Sequence, residues 1–265
     1  MKFKIDHDLH IHSYLSTCSR DPMQTNENIL KYAENNSLKT ICLTNHFWDK
    51  DAGYSNEWYA PQDYEHLSSA LPLPQGKKIR FLFGCETELD KNLRLGLTPD
   101  NYDKFDFIII PTTHLNNIGF NLTEEDAYNA FTRGLTWIRR LEGVLNMDLP
   151  FHKVGIAHLA CSLIAPSREE YLDTLASIPE GEMRRLFTKA AELGVGIELN
   201  AADMSYEKSE ESLILRPFRI AKECGCKFYL GSDSHHPDDF KRAIPAFKRA
   251  IKLLKLTEAD KFIIS

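Results

Sequence analysis

The sequence predicts an α/β protein whose strands and helices form a distorted (β/α)7 barrel, similar to a TIM barrel with one strand fewer. Two observations support this fold class. Seven short apolar runs alternate with longer stretches of helical period, and no repeat, low-complexity tract or linker interrupts them. We therefore expect one domain over residues 1–265. A doubly wound open sheet is the alternative, and in both architectures ligands bind at the carboxyl ends of the strands.

The seven predicted strands are short runs of apolar and β-branched residues, bounded by polar or turn-forming segments. Because a helical segment follows most of them, we expect parallel pairing through crossover connections. The strands cover residues 5–11, 40–44, 79–85, 107–111, 154–157, 195–199 and 228–231.

Helices are predicted from their hydrophobic period and from their start signals. Thr25 can cap the first helix, and the segments T-E-E-D at 123 and S-R-E-E at 167 are typical helix starts. Residues 47–76 are rich in aromatic residues and proline, and we expect a long loop with at most one helix. The predicted helices cover residues 25–36, 123–145, 167 onward, 180–193, 210–224 and 238–254.

The composition is that of an ordinary globular protein, with 43 % hydrophobic and 26 % charged residues. Lysine and arginine number 32 against 38 acidic residues, a net charge of −6, which provides no broad basic surface for extended nucleic acid or an anionic membrane. No segment approaches the roughly 20 apolar residues of a membrane span, and the N-terminal residues do not resemble a signal peptide. We therefore expect a cytoplasmic protein; the sequence does not indicate its oligomeric state.

The six cysteines are not expected to form a disulfide framework, because the chain is long enough to build a core without one. Cys42 and Cys85 lie inside apolar runs, which is the usual setting of a buried packing residue. The Cys224-Gly-Cys226 segment lacks the second pair of ligands that a zinc knuckle needs.

Most of the ten histidines lie at the predicted strand ends. His10 and His12 end the first strand, and their i, i+2 spacing places both imidazoles on one face about 6.5 Å apart, so both can reach one ion. Because imidazole and carboxylate groups hold transition metals, this placement predicts a metal centre at the carboxyl end of the barrel. The candidate ligands at the seven strand ends are, in order, His10 and His12, His46, Glu86, His114, His158, Glu198 and Asn200, and Asp233 and His235.

Six short motifs, DLHIH, TNHF, GCE, THL, AHL and GSDSH, follow one another along the whole chain. In this order they make the sequence resemble the polymerase and histidinol phosphatase (PHP) family of metal-dependent phosphoesterases. The resemblance implies a distorted seven-stranded barrel with two or three divalent ions, which are zinc, manganese or iron. It implies a first ion at His10, His12, Glu86 and Asp233, a second at Glu86, His114 and His158, and a third at His46 and His235.

The remaining ligand of the third ion is where the sequence departs from the family. Relatives place a histidine about eight residues after the first histidine of H-x-H, or an aspartate in that loop. Here the corresponding position is Cys18, and Asp21 follows. A thiolate would favour zinc and a carboxylate manganese or iron. Both residues are candidates, with a slight preference for Asp21 because its charge suits a hydrolytic cluster. Asn45 stands where aspartate is usual, which can alter hydrogen bonding to a ligand.

The resemblance implies hydrolysis of a phosphate ester, in the simplest case a small phosphomonoester such as histidinol phosphate. Adjacent ions would activate water and neutralise the phosphoryl oxygens, while His158 and Asp233, besides binding metal, can shuttle a proton. The C-G-H loop typical of histidinol phosphatases is absent, so the substrate stays open. The alternatives are a metal-dependent amidohydrolase, which normally has a bridging lysine where this chain has Glu86, a nuclease or oligonucleotide phosphodiesterase of the same family, and a non-catalytic metal-binding protein.

Other residues have both a structural and a functional interpretation. Glu198 can fix the sixth strand, and Asn200 can contact phosphate or form a turn. The aromatic residues of the long loop can pack it against the core or form a lid: Phe47, Trp48, Tyr54, Trp58 and Tyr59. Three arginines are candidate phosphate clamps or solvated surface charges: Arg20, Arg168 and Arg216. Four histidines are interpreted as structural: His7, His66, His152 and His236.

Overall fold

The computed structural model describes residues 1–264, and these residues contain nine β-strands and eight α-helices. Helical segments separate most consecutive strands, as the alternating pattern predicts. The strands are β1 His7–Ile11, β2 Thr40–Leu43, β3 His46–Phe47, β4 Arg80–Phe83, β5 Cys85–Thr87, β6 Ile108–Pro111, β7 Val154–Ala157, β8 Gly196–Asn200 and β9 Lys227–Gly231. The helices are α1 Asn26–Asn35, α2 Tyr64–Ser68, α3 Ala130–Leu145, α4 Arg168–Ser177, α5 Glu180–Leu193, α6 Glu211–Ile214, α7 Arg216–Glu223 and α8 Phe240–Leu254.

The nine strands occupy seven positions of a parallel barrel, because the second and the third position each contain two short strands. The second is β2 followed by β3, with a break at Thr44 and Asn45, and the third is β4 followed by β5, with a break at Gly84. β2 pairs with β4 and β3 pairs with β5, both in parallel. Gly84 leaves no room for a side chain, since a Cβ there would lie 2.4 Å from the carbonyl oxygen of Phe107 and 2.7 Å from Cys42 Sγ.

The strand order runs around a ring from β1 to β9. β1, β2 and β4 form one sheet, and β3, β5, β6, β7, β8 and β9 form the other. Backbone hydrogen bonds join the ends of β1 and β9: Asp233 N donates to His10 O (2.8 Å) and His12 N donates to Ser234 O (3.0 Å). The first and last strands are therefore neighbours, and the predicted TIM-like α/β fold is confirmed.

Side chains hold the first half of the seam between β1 and β9. His7 Nε2 accepts from Leu230 N (3.1 Å), and Asp8 Oδ1 accepts from Ser232 N (2.8 Å). His7 and Asp8 are both buried. Because these side chains stand where backbone carbonyls would pair in a regular sheet, the barrel is distorted at this seam.

Side-chain caps set the starts of four of the eight helices of residues 1–264, α1, α2, α3 and α4. The side chains of Thr25 and Ser167 each accept a hydrogen bond from the third backbone N–H of the helix that follows, as predicted. The helix before β7 starts later than predicted, at Ala130, because Asn129 and Thr132 form a capping box there. The turns before it were predicted as helix from the acidic T-E-E-D segment, and this prediction is wrong.

The helix predicted over residues 210–224 is two helices, α6 and α7, which meet at Leu215. Pro217 lies in the first turn of α7, where a backbone N–H has no partner within the helix, so the missing N–H of proline costs no hydrogen bond. Inside one continuous helix, Pro217 would remove a backbone hydrogen bond. The long loop contains one short helix, α2, as predicted. No helix of residues 1–264 is both long and apolar enough to cross a membrane.

The core lies between the strands and the helices that cover them. Trp137 on α3 and Phe187 on α5 are fully buried and meet edge to face, with ring centroids 6.0 Å apart. Cys42 and Cys85 are also fully buried, as their apolar surroundings predict. All six cysteines are free thiols.

Candidate metal centre

Four side chains from the ends of β1, β5 and β9 converge at the carboxyl end of the barrel. The Nε2 atoms of His10 and His12 are 3.1 Å apart. Glu86 Oε2 lies 3.4 Å from the first of these nitrogens and 3.3 Å from the second. Asp233 Oδ1 lies 3.4 and 3.2 Å from the same two atoms. The structure therefore brings together the four residues expected at the first ion.

Glu198 determines which nitrogen of His10 faces this group. Its Oε1 lies 2.6 Å from His10 Nδ1, and its Oε2 accepts from His158 N and from Asn200 Nδ2, both at 3.2 Å. Because a carboxylate can only accept, His10 Nδ1 donates the proton and His10 Nε2 presents its lone pair to the group. Glu198 thus orients a candidate ligand as well as filling the barrel interior.

A chain of hydrogen bonds orients His12 in the same way. Asn45 Oδ1 accepts from Ser13 N (2.8 Å) and from Ser16 Oγ (3.2 Å), which uses the hydroxyl hydrogen of Ser16. Ser16 Oγ must then accept from its other neighbours, which are His12 Nδ1 (3.0 Å) and His46 N (3.1 Å). His12 Nε2 is therefore also left with a lone pair.

The carboxylates of this group give it a negative charge, which favours the binding of a cation. Burial raises the pKa of Glu86 and of Asp233, but neighbouring imidazoles hold both pKa values well below their usual range. Burial lowers the pKa of His10, but Glu198, Glu86 and Asp233 hold it well above its usual range, because these carboxylates favour a positive charge beside them. Glu86 Oε1 is buried without a hydrogen-bond partner. The donor set therefore fits a divalent metal ion.

His114 and His158 form a second group beside Glu86. Their ring centroids are 4.8 Å apart, and His158 Nε2 lies 3.5 Å from Glu86 Oε1 and 3.6 Å from Asp233 Oδ2. Donor atoms of His114, His158 and Cys161 lie within 4.8 Å of one another. The residues expected at the second ion are therefore adjacent, and the structure adds a thiol to them.

The backbone is strained at two of these positions. His158 and Asp233 have φ angles of 60° and 53°, in the left-handed region that non-glycine residues seldom adopt. Each lies just beyond the end of its strand, where the altered backbone direction brings the side chain into the group. Strain of this kind is found mainly at functional sites.

A buried ion pair orients His114. Glu88 Oε2 lies 3.0 Å from His114 Nδ1 and accepts from Tyr59 OH (3.3 Å). Glu88 Oε1 accepts from Arg140 Nη2 (2.5 Å), and both of these side chains are only 1 % exposed. The other donors of Arg140 bind the backbone carbonyls of Leu89, Thr112 and Asn121.

Cys18, His46 and His235 form a third group. Donor atoms of these residues and of His12 lie within 4.8 Å of one another. The rings of His12 and His235 stack with centroids 4.2 Å apart, and His46 Nδ1 lies 3.0 Å from Glu86 Oε2. Burial and the neighbouring His12 lower the pKa of His235 to about 4, so its imidazole is neutral and able to bind metal.

Asp21 lies outside this group, which corrects the preference for Asp21 over Cys18. Asp21 Oδ1 accepts from Met23 N (2.7 Å), and its other oxygen forms an ion pair with His236. Both oxygens of the carboxylate are thus engaged away from His46 and His235. The thiol therefore stands with the residues expected at the third ion, and the carboxylate does not.

A cavity of about 350 Å³ opens onto the three groups. Trp58 and Tyr59 from the long loop line it. Phe47 and Trp48 are buried, and Tyr54 is 74 % exposed. The aromatic residues of this loop therefore divide between the cavity wall, the core and the surface. Among residues 1–264, no lysine or arginine lines the cavity.

Two solved structures resemble the whole chain. The histidinol phosphate phosphatase of Lactococcus lactis subsp. lactis Il1403, complexed with zinc, L-histidinol and phosphate, has a TM-score of 0.53 and 17 % identity, covering 92 % of this chain and 93 % of that one. A candidate histidinol phosphatase of Listeria monocytogenes has a TM-score of 0.64 and 13 % identity, covering 91 % and 99 %. The chain therefore shares the fold of these two proteins. No protein-family model and no curated protein matches the sequence.

The candidate phosphate clamps lie away from the three groups of side chains. Arg168 pairs with Glu210, and Arg216 donates to two backbone carbonyls. Arg20 is exposed, and its Nε lies 3.5 Å from the carbonyl oxygen of Thr17. None of the three lines the cavity. Any phosphate bound there would depend on metal ions for its charge neutralisation.

The histidines interpreted as structural also lie outside the three groups. His7 belongs to the seam between β1 and β9, and His66 Nε2 contacts the carbonyl oxygen of Leu15 (2.8 Å). His236 pairs with Asp21, and His152 lies in a 3-10 turn before β7.

Asn200 has the turn-forming role rather than the phosphate-binding one. Its Oδ1 accepts from Ala202 N (2.8 Å), and its Nδ2 donates to Glu198 Oε2 (3.2 Å). The side chain is fully buried. Asn200 therefore acts on the centre only through Glu198.

Sequence reasoning missed three buried residues at the centre of this fold: Glu88, Cys161 and Asp203. Glu88 follows Glu86 by two positions, and this spacing places two strand residues on one face, so a signal for it exists in the sequence. Asp203 Oδ1 lies 3.8 Å from His158 Nδ1, and Asp203 follows β8 in an irregular loop. Such a loop has no period from which to predict the direction of a side chain.

Proposed function

We propose that this chain is a metal-dependent phosphatase that hydrolyses small phosphomonoesters. The observation that carries the proposal is the convergence of lone pairs from His10, His12, Glu86 and Asp233 beside an open cavity. Two imidazoles and two carboxylates suit the divalent ions used in hydrolysis. The buried Oε1 atom of Glu86 makes no hydrogen bond and is therefore free to bind a cation.

The similar structures support both the metal and the substrate class. The Lactococcus lactis protein is named a histidinol phosphate phosphatase and holds zinc, L-histidinol and phosphate. We take zinc as the first candidate metal and histidinol phosphate as the first candidate substrate. Manganese and iron are the other candidate metals, since imidazole and carboxylate groups also bind them.

We assign two or three ions to the three groups of side chains. Glu86 contacts residues of all three groups, and a carboxylate can bridge adjacent ions through its two oxygens. The first ion would be held by His10, His12, Glu86 and Asp233, the second by Glu86, His114 and His158, and the third by His46 and His235.

When bound, adjacent divalent ions lower the pKa of water and neutralise the phosphoryl oxygens. The side chains of this protein would hold that arrangement. His158 Nε2 and Asp233 Oδ2 are 3.6 Å apart, and we assign to this pair, besides metal binding, the relay of the proton lost by the attacking water to the departing oxygen. Trp58 and Tyr59 form a wall of the cavity against which the substrate would lie.

The alternative activities have less support. An amidohydrolase of this kind would need a bridging lysine, and no lysine of residues 1–264 lines the cavity. A nuclease would need basic side chains along its nucleic acid path, and the cavity offers none within the same residues. We further propose that residues 1–265 form one phosphoesterase domain that works in the cytoplasm.

The proposal is tested by metal analysis of the purified protein, together with phosphate release from phosphomonoesters, phosphodiesters and nucleotides. The wild-type protein should contain at least two metal equivalents and prefer phosphomonoesters. His12→Ala and Glu86→Ala should lose both metal and activity, whereas His152→Ala, which lies outside the centre, should keep both. Full metal content and full activity in the first two variants would show that the assigned site is wrong.

A further inference from the structure

The geometry points to Cys18 as a thiolate ligand that makes the position of His46 and His235 selective for thiophilic ions such as zinc. This inference rests on the proposed function, because it concerns one position of the same metal centre. The inference goes beyond the proposed function because it gives that position a different set of ligand atoms from the neighbouring positions.

Cys18 stands among imidazoles. Its sulfur and one donor atom from each of His12, His46 and His235 lie within 4.8 Å of one another, which is the span that ligands of one ion can occupy. His46 is 5 % exposed, and its Nδ1 makes no hydrogen bond, although it lies 3.0 Å from Glu86 Oε2. The His235 Nδ1 atom contacts the carbonyl oxygen of Asp233 (2.8 Å), which leaves Nε2 for an ion. The thiol therefore lies among imidazole nitrogen atoms that could bind the same ion.

The loop that carries Cys18 is held in place. Ser19 Oγ donates to the carbonyl oxygen of His235 (2.5 Å), Ser19 N donates to Ser16 O (2.9 Å), and Thr17 N donates to Gln62 Oε1 (3.0 Å). These bonds flank the cysteine on both sides. They tie it to the backbone of His235 and to the backbone of Ser16, the residue whose hydroxyl orients His12.

The donor sets of the two positions differ in hardness. The position of His10 and His12 has two carboxylates, from Glu86 and Asp233, which suit hard and borderline ions. The position of Cys18 has sulfur and nitrogen, which favour zinc over manganese. When the ion binds, the thiol releases its proton to solvent and sulfur binds as the thiolate, so no oxidant or reductant is needed.

Thiol protection tests the ligand directly, in a Cys224→Ser background. Cys42, Cys85, Cys161 and Cys226 are buried and Cys224 is half-buried, so the background leaves Cys18 as the one exposed thiol of residues 1–264. Metal-free protein should be alkylated by N-ethylmaleimide at Cys18, located by peptide mapping. Saturating zinc should abolish the reaction at Cys18, because a thiolate that is bound to a metal ion is not free to attack the maleimide. Manganese should protect much less. Equal protection by both ions, or none by zinc, would overturn the inference.

Cobalt substitution provides a readout that is independent of both activity and alkylation. The cobalt(II) protein should show a thiolate-to-cobalt charge-transfer band in the near ultraviolet, and Cys18→Ser should lack it. Circular dichroism checks that the variant is folded, which we expect because Cys18 is exposed. If the band survives in Cys18→Ser and vanishes in Cys161→Ser, the thiolate ligand is Cys161 and the inference is wrong.

The inference about Cys18 and the proposed function can be distinguished by their outcomes. A wild-type protein that hydrolyses phosphomonoesters with zinc but leaves Cys18 unprotected would overturn the inference and leave the proposed function standing. A protein that binds no divalent ion would overturn both.

Discussion

Glu198 Oε1 lies 2.6 Å from His10 Nδ1, and both side chains are fully buried. Replacing Glu198 with glutamine keeps the shape but removes the charge that makes His10 a better metal ligand. We expect Glu198→Gln to weaken metal affinity by about 10- to 100-fold. Competition with a chelator measures the change, and Glu180→Gln, at an exposed position, is the control. An unchanged affinity would mean that Glu198 serves only the packing of the barrel.

The hydroxyl of Ser16 links Asn45 to His12, so its loss should act on the metal as well as on the loop. Ser16→Ala removes the acceptor for His12 Nδ1 and allows the imidazole to turn. We expect lower metal content and a lower kcat/KM at subsaturating zinc, with recovery at high zinc concentration. Asn45→Asp keeps the oxygen that accepts from Ser16, and it should retain metal. Equal metal loss in both variants would contradict the assigned direction of these hydrogen bonds.

The buried pair of Arg140 and Glu88 predicts a large effect on stability. Arg140→Leu leaves the Glu88 carboxylate buried without its partner, and we expect a loss of about 3–5 kcal/mol in the free energy of unfolding. Urea unfolding measures it. Arg139→Leu, which removes the half-exposed partner of Asp126, should cost no more than about 1 kcal/mol. Adding Glu88→Gln to Arg140→Leu should recover part of the loss, since it removes the stranded charge.

The free energy of unfolding should decrease at acidic pH, in part because Asp6 becomes protonated. The hydrogen bond with His7 holds the pKa of Asp6 well below its usual range. The hydrogen bond and charge of Lys261 act in the same direction to a lesser degree, and burial opposes both. A carboxyl group with a lower pKa in the folded state stabilises that state above its unfolded pKa of about 3.9, and this stabilisation is lost as the pH falls towards the folded pKa. Asp6→Asn should therefore lower the urea midpoint at pH 7 more than at about pH 2.5.

The control for Asp6→Asn is Asp173→Asn, at an exposed position on α4. Its effect on the urea midpoint should be small at both pH values. If Asp6→Asn lowers the midpoint equally at neutral and acidic pH, the side chain acts through packing rather than through its charge.

The features that could be predicted from the sequence were those with a hydrophobic period or a regular spacing of residues. His10 and His12 could be placed together because residues two apart on a strand share a face, and the strand ends of a parallel barrel meet at one edge. The sequence slightly favoured Asp21 over Cys18, because a loop has no such period and nothing indicates that Asp21 pairs with His236, at the other end of the chain. Separation along the sequence also hid the contact between Glu88 and Arg140, which are 52 positions apart.

The residues of the proposed metal centre come together only when β1 and β9 pair at their seam, so the centre is complete only in the fully folded barrel. His10 and His12 come from the first strand, and Asp233 and His235 follow the last, so the ligands of one ion are separated by almost the whole chain. Contacts between such distant segments close large loops and tend to form late. An intermediate that lacks this seam would have only half of its ligands in place. Metal uptake during refolding should therefore coincide with the final step, when the two ends of the barrel meet.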